Sequence, residues 1–312
     1  MKNWLSASGV LWMAAGTAFL VICLLGVVHV QRTNDPAAQL AFRARRVDLV
    51  ERIQLDLASA SEAEKSAVLA ITDQDSRTFA DQVRAATARA DQERRELAEV
   101  LAAGGTPGEK DTLAQFTAAF AELQRIDEEL LALAVKNTNV KAYALAYGPA
   151  AAAVKEMNAA LDRLVAAESG APGGKTAVLL AFGAETSALR IETLLPPHIA
   201  EENDAKMDAL EASMASEDAQ VRKGLDGLAA IPKLGKDPDL AAAAARYAEF
   251  TRIRTQILSL SRENTNVRSL SISLNERRKA MLACQDSLSS LRQAILAEPT
   301  AGVDYGPPAK PR

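Results

Sequence analysis

The sequence predicts an all-α protein, with an N-terminal transmembrane helix followed by a long up-down-up-down bundle of four helices. Only 4% of its 312 residues are aromatic, too few for a β-sandwich or barrel, whose strands favour aromatic and β-branched side chains. Neither proline nor glycine occurs in residues 37–103, 109–147 or 239–298. These runs are several times longer than an average helix of about 11–12 residues, which indicates unusually long helices.

The transmembrane helix is predicted at residues 9–30, after a short N-terminal segment, 1–8. The stretch GVLWMAAGTAFLVICLLGVVHV carries no formal charge and, at 22 residues, is long enough to cross a hydrocarbon core of about 30 Å. A cleaved signal peptide is the alternative, but its apolar region spans about 7–15 residues and ends at a small-residue cleavage site. The greater length favours an uncleaved anchor.

Charge alone leaves the orientation of this anchor open. Lys2 precedes the span, whereas Arg32, Arg43, Arg45 and Arg46 follow it. The positive-inside rule would therefore place the bulk of the chain in the cytoplasm. Long domains can nevertheless be translocated despite flanking charge, so both orientations are consistent with the sequence.

Proline and glycine delimit four helices in the rest of the chain. Asp35-Pro36 and Asp237-Pro238 are typical of an N-cap residue followed by proline in the first helical position. The Pro/Gly-rich residues 298–312 indicate a disordered tail. Because the connections between the helices are short, consecutive helices should be antiparallel. The predicted helices are A (36–103), B (109–168), C (175–230) and D (238–297).

Helices B and D contain the same segment. LLALAVKNTNVKAYALAY at residues 130–147 aligns without a gap with ILSLSRENTNVRSLSISL at 257–274, and Asn-Thr-Asn-Val is identical in both. We interpret 36–168 and 175–297 as two copies of one helical hairpin, paired because neither buries its apolar stripe alone. The repeat predicts that Asn137 and Asn264 lie at nearly equal height and face inward from diagonal helices.

Two proline sites interrupt the predicted helices. Gly148-Pro149 lies within helix B and Pro196-Pro197 within helix C, and in an antiparallel bundle both lie at one height. Proline inside a helix removes a hydrogen bond and kinks the helix. The bundle should therefore have a membrane-proximal and a distal level, with irregular backbone between them.

Polar residues near these interruptions are the candidates for a binding site. Asparagine in a helical seam is costly to bury unless it is hydrogen-bonded, and it commonly fixes register. The functional alternative is a polar pocket in which the asparagines and nearby cations meet a carboxylate. His198, next to the proline pair, could donate to an anion, or could be an ordinary first-turn histidine. The candidate ligand-binding residues are Asn137, Asn139, Lys141, Asn264, Asn266, Arg268, Arg190 and His198.

Composition argues against an enzyme, a cofactor or a metal. The chain has two cysteines and two histidines, too few for a thiolate cluster or most histidine-rich metal sites, and no nucleophile can be matched with a base. The formal charge of −4 gives no electrostatic reason to expect nucleic-acid binding.

The alanine-rich up-down bundle, its anchor and the segment SRENTNVRSLSISL resemble the four-helix-bundle sensory module of methyl-accepting chemotaxis receptors. The predicted two levels resemble the helical bimodular variant. The resemblance implies a domain outside the inner membrane, in the periplasm, that forms a homodimer and binds small organic acids or amino acids. It transfers no individual ligand residue.

The sequence departs from this family after helix D. Such receptors continue with a second span, a HAMP linker and a cytoplasmic signalling hairpin, none of which is found before Arg312. We therefore expect a sensory module that acts through a partner such as a full-length receptor. The alternative is a structural or interaction protein, a membrane-tethered helical rod without a small-molecule ligand.

Overall fold

The computed structural model describes residues 36–171 and 174–298. Over these residues all regular structure is helical and there is no strand, which confirms the predicted all-α fold for this part of the chain. The predicted transmembrane helix, 9–30, and the segment before it lie outside the described residues, as does the predicted tail beyond Glu298. No helix in the described part is both long and apolar enough to span a membrane.

Each of the four predicted helices is interrupted. The sequence predicted interruptions at the proline sites of B and C and none in A or D, while the outer limits of the four helices agree closely with the structure. Helix A comprises α1 (Pro36–Leu69) and α2 (Asp73–Gly104). Helix B comprises α3 (Pro107–Ala134), α4 (Thr138–Leu145), the π-helical turn π1 (Ala146–Ala150) and α5 (Ala151–Glu168). Helix C comprises α6 (Gly174–Ala200) and α7 (Asp204–Ala229). Helix D comprises α8 (Pro238–Glu263), α9 (Thr265–Ile272), the π-helical turn π2 (Ser273–Arg277) and α10 (Arg278–Ala297).

Helix C folds back on itself, so that α6 and α7 form an antiparallel hairpin. Arg190 of α6 pairs with Glu217 of α7 at 3.3 Å, and nearer the turn His198 lies 2.9 Å from Glu211. The turn is fixed by Asn203, whose side chain accepts a hydrogen bond from the amide of Lys206 at 3.1 Å. This N-cap starts a new helix, whereas the Pro196-Pro197 pair lies inside α6.

Helix A also turns back, between Leu69 and Asp73. The hydroxyl of Thr72 accepts a hydrogen bond from the amide of Asp75 at 3.1 Å, which caps the start of α2. Beside the turn, Ser76 donates to the carbonyl of Ala67 at 2.9 Å. No proline or glycine occurs at this turn, which is why sequence punctuation did not reveal it.

The chain divides into two compact units. The described part of the first comprises residues 36–59, 85–122 and 280–298. The buried Arg46 donates to Glu109 and Glu298, both at 2.6 Å. This arginine thereby connects α1, α3 and the residue after α10. The fully buried large apolar side chains of the unit include Leu49, Leu97, Phe116 and Leu288.

The second unit comprises residues 60–84, 123–171 and 174–279 and contains the candidate site. Its core is formed by α5, α6, α7 and α8, with Leu161, Ala188 and Phe250 fully buried. Helices α5 and α8 are antiparallel neighbours, because Arg163 pairs with Asp239 at 2.8 Å and Glu156 with Arg246 at 2.7 Å.

Candidate functional site

The two Asn-Thr-Asn segments meet in the second unit. The amide of Thr138 donates to the hydroxyl of Thr265 at 3.2 Å, and the amide of Thr265 donates back to that of Thr138 at 3.1 Å. Asn139 and Asn266 exchange amide-to-side-chain bonds in the same way, both at 3.1 Å. The first amides of a helix lack partners within it, and here each copy of the repeat supplies partners for the other. We call residues 137–139 and 264–266 the asparagine junction.

Two left-handed asparagines create this junction. Asn137 has φ 51° and Asn264 has φ 53°, and they are the non-glycine residues of the described chain with positive φ. Asparagine tolerates this conformation better than most residues. Each one ends a long helix and starts a short one, α4 or α9, so that the two helices face each other directly. The helices that carry the asparagines are therefore neighbours in contact, not diagonal as the repeat suggested.

The four asparagine side chains bond first to one another. Asn139 Nδ2 donates to Asn264 Oδ1 at 2.7 Å, and Asn266 Nδ2 donates to Asn137 Oδ1 at 3.0 Å. Three of the four residues are buried and Asn266 is half-buried. Hydrogen bonding offsets the cost of burying their amides.

The remaining amide hydrogens hold the two hairpin turns. Asn139 Nδ2 also donates to the carbonyl of Ile199 at 2.7 Å, and Asn264 Nδ2 donates to that of Glu201 at 2.8 Å. Asn137 Nδ2 lies 3.4 Å from Asp73 Oδ1, beside the α1–α2 turn. The side-chain amides of these asparagines thus bond within the protein. The sequence had allowed either a register-fixing or a ligand-binding role, and these contacts agree with the first.

His198 and Arg190 are not brought together. His198 is fully buried, with Nδ1 2.8 Å from Ser261 Oγ and Nε2 2.9 Å from Glu211 Oε1. Arg262 and, to a smaller extent, His198 hold the pKa of Glu211 below its ordinary value. Arg190 is exposed and paired with Glu217. Because Ser261 is also fully buried, the Ser-His-Glu contact connects three helices and offers no accessible nucleophile.

A groove lies beside the asparagine junction. Its volume is about 500 Å³, and both signs of charge lie along it. Arg268 is the one predicted ligand residue that lines it. Within residues 36–171 and 174–298, the charged groups of Arg268, Lys136 and Glu202 form no ion pair. The lining residues are Glu129, Ala132, Leu133, Lys136, Glu202, Arg268, Ser271 and Ile272.

The repeat explains why Arg268 is unpaired. Its counterpart in the first copy, Lys141, binds Asp73 at 2.8 Å, just after the α1–α2 turn. The corresponding residue after the α6–α7 turn is Asp204, which lies 3.9 Å from Arg262. Arg262 also binds Asp208 at 2.5 Å and Glu211 at 2.7 Å. The first copy has a valine at the position of Arg262, so the ion pairs of Arg262 with Asp204, Asp208 and Glu211 have no counterpart there.

Two features of this unit were difficult to predict from the sequence. Lys136 directly precedes the first Asn-Thr-Asn segment and Glu202 follows the Pro196-Pro197 pair, but neither belongs to a motif. Arg277 lies in a polar run, residues 275–279, yet it is buried, donates to Asp127 at 2.5 Å and lies 3.2 Å from Glu64. Burial raises the pKa of Asp127, although the arginine opposes the shift.

No protein-family model and no curated protein matches this sequence. Within the described residues no three His, Cys, Asp or Glu side chains are grouped so as to hold a metal ion. The likeness to chemoreceptor sensory modules therefore rests on the sequence features alone.

Proposed function

We propose that the chain is a non-catalytic sensory module of the chemoreceptor type that captures a small carboxylate in the groove at Arg268. Residues 9–30 anchor it in the inner membrane, and the helical region, built from two copies of one repeat, is periplasmic. The module forms a homodimer and passes its signal to a partner such as a full-length receptor.

The difference between the two halves of the junction carries this proposal. In the first half, the carboxylate of Asp73 neutralises Lys141 at 2.8 Å. In the second half, Arg268 has the equivalent position in the repeat and lines an open groove. A guanidinium binds a carboxylate with two parallel hydrogen bonds and is suited to this task. A solute carboxylate at Arg268 would take the role that Asp73 has in the first half.

The other lining residues define the ligand class. Lys136 adds a second cation, Ser271 adds a hydroxyl, and Leu133 and Ile272 offer apolar surface. Glu129 and Glu202 supply acceptors for an ammonium group. Small organic acids and amino acids both match this set, and the second class uses both signs of charge.

A binding experiment tests the groove. Acetate, succinate, malate and the amino acids are titrated into the full chain in detergent and followed by calorimetry and thermal shift. At least one compound should bind and raise the melting temperature as mass action requires, and Arg268→Gln should weaken its binding about tenfold or more. Lys141→Gln is the matched control, since its cation already has an internal partner.

Failure of every compound in this panel would favour the alternative function. The chain would then be a structural or interaction rod, an interpretation supported by the asparagine amides, all of which have partners within the protein.

The anchor and its orientation are tested separately. Alkaline phosphatase fused after Arg312 should be active in cells, and the fusion should remain with the inner membrane after alkaline extraction. A cytoplasmic reporter that is active at the same position instead would contradict the periplasmic location.

A further inference from the structure

The first residue of the α6–α7 turn, Glu201–Asn203, and the end of α6 before it are hydrogen-bonded to the asparagine junction. The carbonyls of Ile199 and Glu201 accept hydrogen bonds from Asn139 and Asn264, at 2.7 and 2.8 Å. Both acceptors belong to the C-terminal end of a helix, where carbonyls have no partner in the helix itself. The two side-chain amides therefore supply the hydrogen bonds that these carbonyls would have accepted if α6 had continued.

The rest of the turn has little support from the core. Glu202, Asn203 and Asp204 are exposed. The Glu201 carboxylate accepts from the amides of Glu202 at 3.0 Å and Asn203 at 2.9 Å, so the turn bonds largely to itself. Segments with exposed hydrogen bonds and few buried contacts open at a lower free energy than the core.

The same turn contributes one wall of the groove. Glu202 lines the groove together with Arg268 and Lys136, and none of these three charges has an ion-pair partner among the described residues. Opposite charges that share a groove attract one another, and water screens this attraction only in part. The turn is therefore hydrogen-bonded to the junction amides, and its Glu202 shares the groove with the cations Arg268 and Lys136 and with the carboxylate of Glu129.

We propose that the α6–α7 turn is a latch that reports the charge state of the groove. This inference rests on the proposed function for the identity of the signal, a carboxylate at Arg268. That carboxylate neutralises Arg268 and adds a negative charge beside Glu202, so the attraction that holds the turn is lost. Since α7 begins at Asp204, directly after the turn, release of the latch frees the first residues of α7.

The contribution of the asparagine amides to the latch is tested in the absence of ligand. Hydrogen exchange of residues 200–206 is measured by mass spectrometry in the full chain, for Asn264→Gly and for Asn137→Gly. Glycine keeps the left-handed backbone at both positions, and each variant removes one acceptor from a junction amide. Of the two substituted residues, only Asn264 donates a hydrogen bond to the turn. Asn264→Gly should accelerate exchange there about tenfold, the effect of one lost hydrogen bond, and Asn137→Gly less than twofold.

The contribution of the groove to the latch is tested by substitutions that remove a charge and by acetate as a ligand. Arg268→Gln should accelerate exchange of the turn severalfold without ligand, and Lys141→Gln should not. Acetate, at concentrations that calorimetry finds saturating, should accelerate it in the natural chain and have no further effect in Arg268→Gln.

These measurements separate the latch from the binding function. Equal acceleration in Asn264→Gly and Asn137→Gly, or no response of the turn to Arg268→Gln, would overturn the latch. Acetate that binds at Arg268 and leaves the exchange of the turn unchanged would also overturn it, with the binding site intact. A turn that responds to Arg268→Gln in a chain that binds neither acetate nor any other compound of the panel would uphold the latch and contradict the proposed ligand.

Discussion

At the scale of single residues, two asparagines determine the architecture of the second unit. The sequence predicted that Asn137 and Asn264 would face inward at nearly equal height from diagonal helices, whereas the structure places them on helices in direct contact. The sequence did not predict their left-handed backbone, because no proline or glycine marks the position. The side chains were predicted to serve either register or ligand binding, and the structure gives each amide a partner within the protein.

The left-handed conformation predicts an unusual order of stability at Asn264. Alanine in this conformation costs about 1–2 kcal/mol that glycine avoids, so Asn264→Ala should be less stable than Asn264→Gly by about 1 kcal/mol. Urea unfolding of the full chain measures the difference. Ser259, exposed within α8, is the control position, where alanine should be the more stable by about 1 kcal/mol. The same order at both positions would contradict the left-handed assignment.

At the scale of helices, the sequence located the ends of the predicted helices better than their interiors. Turns rich in glycine and proline marked the ends of helices A to D, whereas the reversals after Leu69 and Ala200 depend on the capping residues Thr72 and Asn203. A Ser, Thr, Asp or Asn cap inside a long helical pattern is a weak signal, since these residues also occur on exposed helix faces. Gly224 and Gly227 in α7 were a second signal for the fold-back, because small residues permit close helix packing.

The α6–α7 hairpin predicts opposite effects for two glycines. A Cβ at Gly224 would lie 2.9 Å from the Cβ of Ala184 and 2.9 Å from the carbonyl oxygen of Leu180, so Gly224→Ala must push the helices apart. We expect a loss of about 1–3 kcal/mol, as for other overpacked sites. Gly183 of α6 has open space at its Cβ, and Gly183→Ala should add up to about 1 kcal/mol of helix stability. Thermal unfolding measures both variants, and a Gly224→Ala variant as stable as Gly183→Ala would contradict the close approach of α6 and α7 at this position.

At the scale of the whole chain, the duplication accounts for most of what the sequence predicted correctly. It predicted that the two copies pair with each other, because neither buries its apolar stripe alone, and the Asn-Thr-Asn segments of the two copies do meet. The groove could not be predicted in this way, because it arises from a difference between the copies. Arg262 stands where the first copy has Val135, and it pairs with Asp208 and Glu211, whereas Arg268 lines the groove.

A buried carboxyl in the second unit predicts how the stability of the chain depends on pH. Glu185 of α6 is 9% exposed, and burial, followed by the charge of Asp162, raises its pKa from 4.5 to about 7. Between these two values the folded chain binds more protons than the unfolded chain, so the free energy of unfolding falls as pH rises from about 4.5 to 7 and then levels off. Glu185→Gln should remove this decrease and stabilise the chain at pH 8 by up to about 3 kcal/mol, the free-energy equivalent of a pKa raised from 4.5 to about 7. Glu276→Gln, at an exposed position, is the control and should leave the pH profile unchanged. Urea unfolding between pH 4.5 and 8 provides the measurement, and a pH profile of Glu185→Gln that parallels the natural chain would show that this carboxyl is ionised throughout.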